Sequence, residues 1–320
     1  MRPTVNTIKS KVLLSKFLRV GCIMIFIGTM YFLAGCSTKE GYLFGKEANL
    51  GTKPGEARPP IGEEHLLSES GMSIAYYIYG EGDTIVLLAS AGRSVSDFNE
   101  LAINLADNGF RTVAVESRGV GKSSLPDDDY NLHDLAKDVH QVLNQLGGIK
   151  NGKVHLVGHA FGNRVARMFA SDHPKLSKSV ILIASGGLVE MSEEAREALH
   201  GSFMLFLPKK TRLQHIRNAF FTPSSEIPDH WIDGWYPKGA AKQGKAKSTP
   251  LKEWWSSGKV PILILQGEDD TVAPPGNATA MKKEFSDRVT VVMVPDAGHA
   301  MLPEQPEIIK KELLLFLTNM

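Results

Sequence analysis

From residue 84 to residue 294 the chain keeps returning to one pattern: a short β-prone run rich in apolar side chains, then a longer stretch in which apolar side chains recur every third or fourth position. The runs are Thr84–Ala89, Arg111–Glu116, Lys153–Val157, Val180–Ala184, Pro261–Leu265 and Val289–Val294. They have strand length, and those that are apolar throughout must be covered on both faces. Between them, Phe98, Leu101, Leu105 and Ala106 mark a helix that starts after Ser94 and stops at Asn108-Gly109. Leu132, Leu135, Val139, Val142 and Leu146 mark a second, ended by Gly147-Gly148, and Phe161–Ser171 reads as a third. Strands separated by amphipathic helices pair in parallel, so the pattern predicts an α/β fold with a mostly parallel central sheet flanked by helices. Ser73–Tyr79 alternates only in part and is expected as a half-exposed edge hairpin strand before the turn Gly80–Asp83. Ligands of such sheets sit at the carboxyl ends of the strands.

The alternation stops between Leu188 and Ser257, where all four tryptophans (Trp231, Trp235, Trp254 and Trp255) are found. We expect an inserted cap of short helices over residues 188–257, supplying an apolar wall for a small-molecule substrate. For any one tryptophan, a purely structural role in the cap is the stronger expectation. The core domain is then 63–187 together with 258–320.

Arg2, Lys9, Lys11, Lys16 and Arg19 precede an apolar run from Val20 to Leu33, followed by Leu33-Ala34-Gly35-Cys36. Basic region, apolar region and small-residue site, in that order, form an export signal over residues 1–35. The run is short for a membrane span, which takes about 20 apolar residues. Leu-Ala-Gly-Cys resembles the lipobox of bacterial lipoproteins, which implies lipidation at Cys36 and attachment to a membrane. If the host is Gram-negative, Ser37 in place of aspartate favours the periplasmic face of the outer membrane. Residues 36–62, rich in glycine and proline and without periodicity, read as a tether.

The 320 residues carry a net charge of +1, which gives no broad footprint for nucleic acid. Of the two cysteines, Cys22 lies within the expected signal and Cys36 is the expected lipid site, so neither serves the core as disulfide, ligand or nucleophile. His140, His155 and His159 are not spaced as metal ligands, no metal is expected, and no cofactor is implied. Gly121-Lys122-Ser123 lacks the rest of a phosphate-loop spacing.

The chemistry centres on Val157-Gly158-His159-Ala160-Phe161-Gly162, a strand-to-helix junction with the glycine spacing of a G-x-S-x-G nucleophile elbow and alanine in place of serine. With Ala89-Ser90-Ala91-Gly92, Glu116-Ser117-Arg118-Gly119-Val120-Gly121-Lys122-Ser123, Gly267-Glu268-Asp269-Asp270 and Gly298-His299, each after an expected strand, the chain resembles the α/β-hydrolase superfamily over about residues 63–320. The family usually has His-Gly where Ala89-Ser90 stand, and aspartate where Glu116 stands. The resemblance implies His299 as base, Asp270 rather than Asp269 as its orienting acid, and Ala160 at the nucleophile position without a hydroxyl. The backbone N–H groups of Phe161 and Ala91 are the expected oxyanion-hole donors. Glu268, Asp269, Asp296 and Ser90 are expected as turn residues, with Ser90 the only other candidate nucleophile. The untrimmed export signal favours a natural alanine over a replaced catalytic serine. The expected function is hydrolysis of an ester-like or other small apolar substrate. The alternatives are a catalytically inactive, lipid-anchored binding protein and a cofactor-independent acid–base enzyme.

Overall fold

The computed structural model describes residues 58–320 apart from Ser70, Gly148, Lys150 and Asn151. The expected signal, Cys36 and most of the tether lie outside the described residues. The last five tether positions are within them: the Arg58 guanidinium donates to Ser96 O at 2.8 Å, and Ile61 N–H donates to the Asn99 side chain at 3.2 Å.

Eight strands form one sheet: β1 (Glu63–Glu69), β2 (Met72–Tyr79), β3 (Asp83–Leu88), β4 (Phe110–Val115), β5 (Val154–His159), β6 (Ser177–Ile183), β7 (Ile262–Gly267) and β8 (Val289–Val294). Their order is β1-β2-β4-β3-β5-β6-β7-β8, antiparallel at β1–β2 and β2–β4 and parallel thereafter. The long apolar runs follow from burial on both faces. Val86 and Leu88 of β3 pack on one side with α2 (Leu132–Gln145) and α3 (Phe161–Asp172), whereas Ile85 and Leu87 pack on the other with α1 (Asn99–Asp107) and α11 (Pro306–Thr318). Val180 and Leu182 of β6 go to the first face, and Ile181 and Ile183 to the second.

Two strand expectations are corrected. β2 is not an edge strand: it pairs on both sides, and Ile74 to Tyr77 are buried. The edge is β1, a mostly polar sequence whose adjacent Leu66 and Leu67 give no apolar alternation to betray it. At the opposite edge, β8 is apolar in sequence yet half open, with Met293 38% exposed.

Between β6 and β7 lie α4 (Glu193–Ser202), α5 (Lys209–Phe220), α6 (His230–Asp233), α7 (Pro237–Ala246) and α8 (Leu251–Trp254). After β7 come α9 (Gly276–Glu284) and, after β8, α10 (Met301–Glu304). All four tryptophans are buried. Trp231 and Trp235 pack edge-on against each other and around Phe220, while Trp254 and Trp255 belong to the core beside α3. The tryptophans seat the cap. The ring that reaches the site is Phe220, 5.6 Å from that of His299.

Candidate active site

Ala160 turns the chain from β5 into α3 at φ 51° and ψ −108°, a backbone conformation that glycine adopts readily and alanine does not. The surroundings hold it there. Ala160 N–H donates to Ile183 O at 3.0 Å, and the Asn163 amide donates to Ile183 O and Ala184 O at 2.8 and 3.0 Å. The elbow also needs its two glycines. A Cβ on Gly158 would stand 2.5 Å from Asn163 N, and one on Gly162 only 2.0 Å from Leu88 O.

The candidate acid and base, Asp270 and His299, follow the ends of β7 and β8. His299 Nδ1 lies 3.0 and 2.9 Å from the two Asp270 carboxylate oxygens, both residues being buried. Asp270 Oδ1 also accepts the N–H groups of Val272 and Ala273, and Oδ2 accepts the Gln266 amide at 3.2 Å. A carboxylate fixed in this way accepts a hydrogen bond from Nδ1–H, keeps the proton on that nitrogen and leaves Nε2 as the basic one. Asp269 and Glu268 are exposed.

His159, next to Ala160, lies 5.5 Å ring to ring from His299. Its Nε2 donates to His299 O at 2.8 Å, which fixes its tautomer, and burial followed by the charge of His299 pushes its pKa down to about 4. His159 is therefore a neutral positioning residue that ties the elbow to the histidine loop. Glu304 does the same from the other side, accepting Gly298 N–H at 2.8 Å through one oxygen and Thr222 N–H and Ser225 Oγ–H through the other. Sequence reasoning missed Gln266, Glu304 and this role of His159. Only the adjacency of His159 to the elbow signalled any of them.

Among the described residues no acceptor takes the N–H of Phe161 or Ala91, so both donors are free to point at a ligand. The Ala91 loop is held by the cap: Gly92 N–H donates to the buried Gln243 side chain at 2.7 Å. Next to it, Arg93 pairs with Asp97 through two bonds of 2.9 and 2.6 Å, donates to Gly234 O and His230 O, and lies over the Trp231 ring. Ser90 is buried and makes no bond to His299. Behind the elbow a cavity of about 20 Å³, lined by Ala89, Glu116, Ser117, Phe161 and Gly162 among others, is too small for a substrate. Among the described residues no group of three or more His, Cys, Asp or Glu is placed to hold a metal ion. Nor, among them, is any helix long and apolar enough to cross a membrane.

A strained strand-to-helix elbow, an acid after β7, a histidine after β8 and a helical insertion after β6 together define the α/β-hydrolase architecture. The chain belongs to the alpha/beta hydrolase family, whose profile matches residues 85–311. It is 26% identical over 277 residues to a bifunctional esterase/perhydrolase of Acinetobacter calcoaceticus, covering 80% of this chain and 99% of that one. It is likewise 26% identical over 278 residues to a non-heme chloroperoxidase of Streptomyces lividans, covering 79% and 99%. Among solved structures, a membrane phospholipase A superposes with a TM-score of 0.67 at 22% identity, covering 97% of this chain and 98% of that one.

Proposed function

We propose that this hydrolase-family protein is a lipid-anchored, exported enzyme that cleaves an ester or similar small apolar substrate with the Asp270–His299 pair. The observation that carries the reading is the bidentate, buried contact between those two side chains, kept beside an elbow whose strain alanine gains nothing from. In this reading His299 Nε2 takes a proton from water, the hydroxide adds to the carbonyl carbon, and the oxyanion lies against the N–H groups of Phe161 and Ala91. The proton then passes from His299 to the leaving oxygen. The name of the esterase/perhydrolase relative supports the substrate class, and Ala160 sets the rate: loss of a triad serine costs about 10⁶, leaving about 10³ to 10⁴ over water.

A second reading, a binding protein without turnover, is favoured by that same missing hydroxyl. The purified protein and its Ala160→Ser variant, assayed on a panel of chromogenic esters and with a fluorophosphonate probe, separate the two. The hydrolase reading expects slow turnover by the natural chain, with acylation of the serine variant. A folded serine variant that neither acylates nor cleaves, beside an inert natural chain, selects the binding protein.

A further inference from the structure

Two arginines on α3 face no anion. Arg167 is fully buried; Nε donates to Asn163 O at 3.1 Å, Nη2 to Gly186 O at 2.6 Å, and Nη1 has no partner among the described residues. Its guanidinium carbon lies 4.5 Å from the ring centre of Trp254, and that of Arg164, one helical turn earlier, lies 4.9 Å from the same ring. Residues three apart on a helix share one stripe, so the two charges stack on one side of α3. The stripe meets both hinges of the cap. Gly186 and Gly187 lead out of the core, and Trp254 ends the returning helix so close that a Cβ on Gly187 would stand 2.7 Å from its ring.

A third cation joins them from the end of α7. Lys247 precedes Thr249, whose carbonyl accepts the Trp254 indole N–H at 3.2 Å. Burial pushes Arg164 down to about 10 and holds Arg167 well below its usual value, with Arg164 adding to the latter. Lys247 is pushed down to about 8 by crowding and then by repulsion from Arg164 and Arg196. Lys247 is exposed at the surface, where solvent weakens both effects. No carboxylate acts on any of the three. Acids on the surrounding elements are engaged elsewhere: Asp172 and Glu253 hold His133, Glu284 accepts the Trp255 indole, and Glu190 and Glu193 pair with Arg196.

Like charges gathered in a partly dry place are costly unless something negative joins them. We propose that Arg164, Arg167 and Lys247 form a phosphate-binding seat at the cap hinge, in which a phosphate group ties α3 to the returning end of the cap. Arg164 and Lys247, which keep exposed surface, touch the ligand; Arg167 lies beneath and adds charge from the interior. A tetrahedral oxyanion suits this set better than a carboxylate, because it offers acceptors in several directions to a planar fork and an ammonium. The phosphate is either free or part of a phospholipid headgroup. The seat does not include His299 and does not depend on turnover.

The test is thermal unfolding of the full chain in non-ionic detergent, titrated with sodium phosphate against sodium chloride at equal ionic strength. Saturating phosphate is expected to raise Tm by about 5 °C. Arg164→Gln and Lys247→Gln should abolish that rise and, without phosphate, unfold at or above the temperature of the unaltered protein, because an uncompensated charge has gone. A parallel arm compares vesicles of phosphatidylcholine with and without phosphatidylglycerol. Binding that needs phosphatidylglycerol, Arg164 and Lys247, with no response to inorganic phosphate, assigns the seat to a headgroup. The proposal is overturned if phosphate shifts all three proteins equally and the vesicles do not distinguish them. It is also overturned if Arg164→Gln lowers Tm in phosphate-free buffer, since Arg164 would then serve only to cover Trp254.

Discussion

Glu116 shows how one residue can carry a fold's pH dependence. It is buried, accepts from Ser94 Oγ–H at 2.6 Å and Val95 N–H at 3.2 Å, and so ties the loop after β4 to the loop that carries Ala91. Burial pushes its carboxyl up to about 7; the bonds from Ser94 and Val95 oppose the shift and Asp97 adds to it. An unfolded glutamate titrates near 4.3, so between about pH 4 and 7 the folded protein keeps a proton that the unfolded chain has lost. The contribution is therefore complete below about pH 4 and disappears as pH rises through 7, by up to ~3 kcal/mol. Urea unfolding at pH 5 and pH 8 should show Glu116→Gln losing less stability than the unaltered protein over that interval. An unchanged difference would mean that Glu116 is ionised in the fold. The sequence placed Glu116 in its loop but could not reveal this environment, which comes from Ser94 and Val95 some twenty positions away. His159, Gln266 and Glu304 escaped notice for the same reason. Their partners are backbone and side-chain groups brought together only by the fold, and no spacing rule links them, whereas the Asp270 and His299 loops are each flagged by glycine after a strand.

At the scale of elements, what was legible was what burial on two faces writes into composition. The apolar runs within β3, β6 and β7 arise because helices cover both sides; the bounds of β3 and β7 could be read within two residues, whereas β6 begins three residues earlier than its apolar run, at the polar Ser177-Lys178-Ser179. β1 is mostly polar, with Leu66 and Leu67 adjacent and not alternating, and was invisible; its absence from the reading turned β2 into a false edge. The elbow is the element where sequence and packing are tightest. The first turn of α3 presses so closely on the end of β3 that Gly162 has backbone on the side where a Cβ would go. Backbone cannot step aside as a side chain can, so Gly162→Ala is expected to cost ~3 kcal/mol or more, or to prevent folding. Gly244, inside α7 with nothing within 4 Å of the same position, is the control. Gly244→Ala should gain about 0.5–1 kcal/mol from helix propensity alone. Thermal unfolding of the two variants should move in opposite directions, and a tolerated Gly162→Ala would show that the elbow can relax away from β3.

For the molecule as a whole, the question is what makes cap and core one body. Trp231 and Trp235 form a socket for Arg93, which belongs to the core loop that also carries Ala91. Arg93 and Asp97 have side chains only 2% exposed, and Arg93 reaches across to two cap carbonyls. A buried pair of this kind adds little over an apolar substitute but is costly to break on one side, because the partner is left charged and dry. Arg93→Met should therefore cost about 3–5 kcal/mol by stranding Asp97, with His230, 3.9 Å away, giving only partial relief. Asp97→Asn should cost less, because Arg93 keeps its carbonyls and ring faces. The double variant should be more stable than the sum of the single losses implies, by about 2 kcal/mol, when all four proteins are compared by urea unfolding. Amide exchange should then speed up across α6 and the Gly92 loop together in Arg93→Met. Exchange that quickens in the cap alone would show that the Ala91 donor is positioned by the core and that the cap merely lies on it.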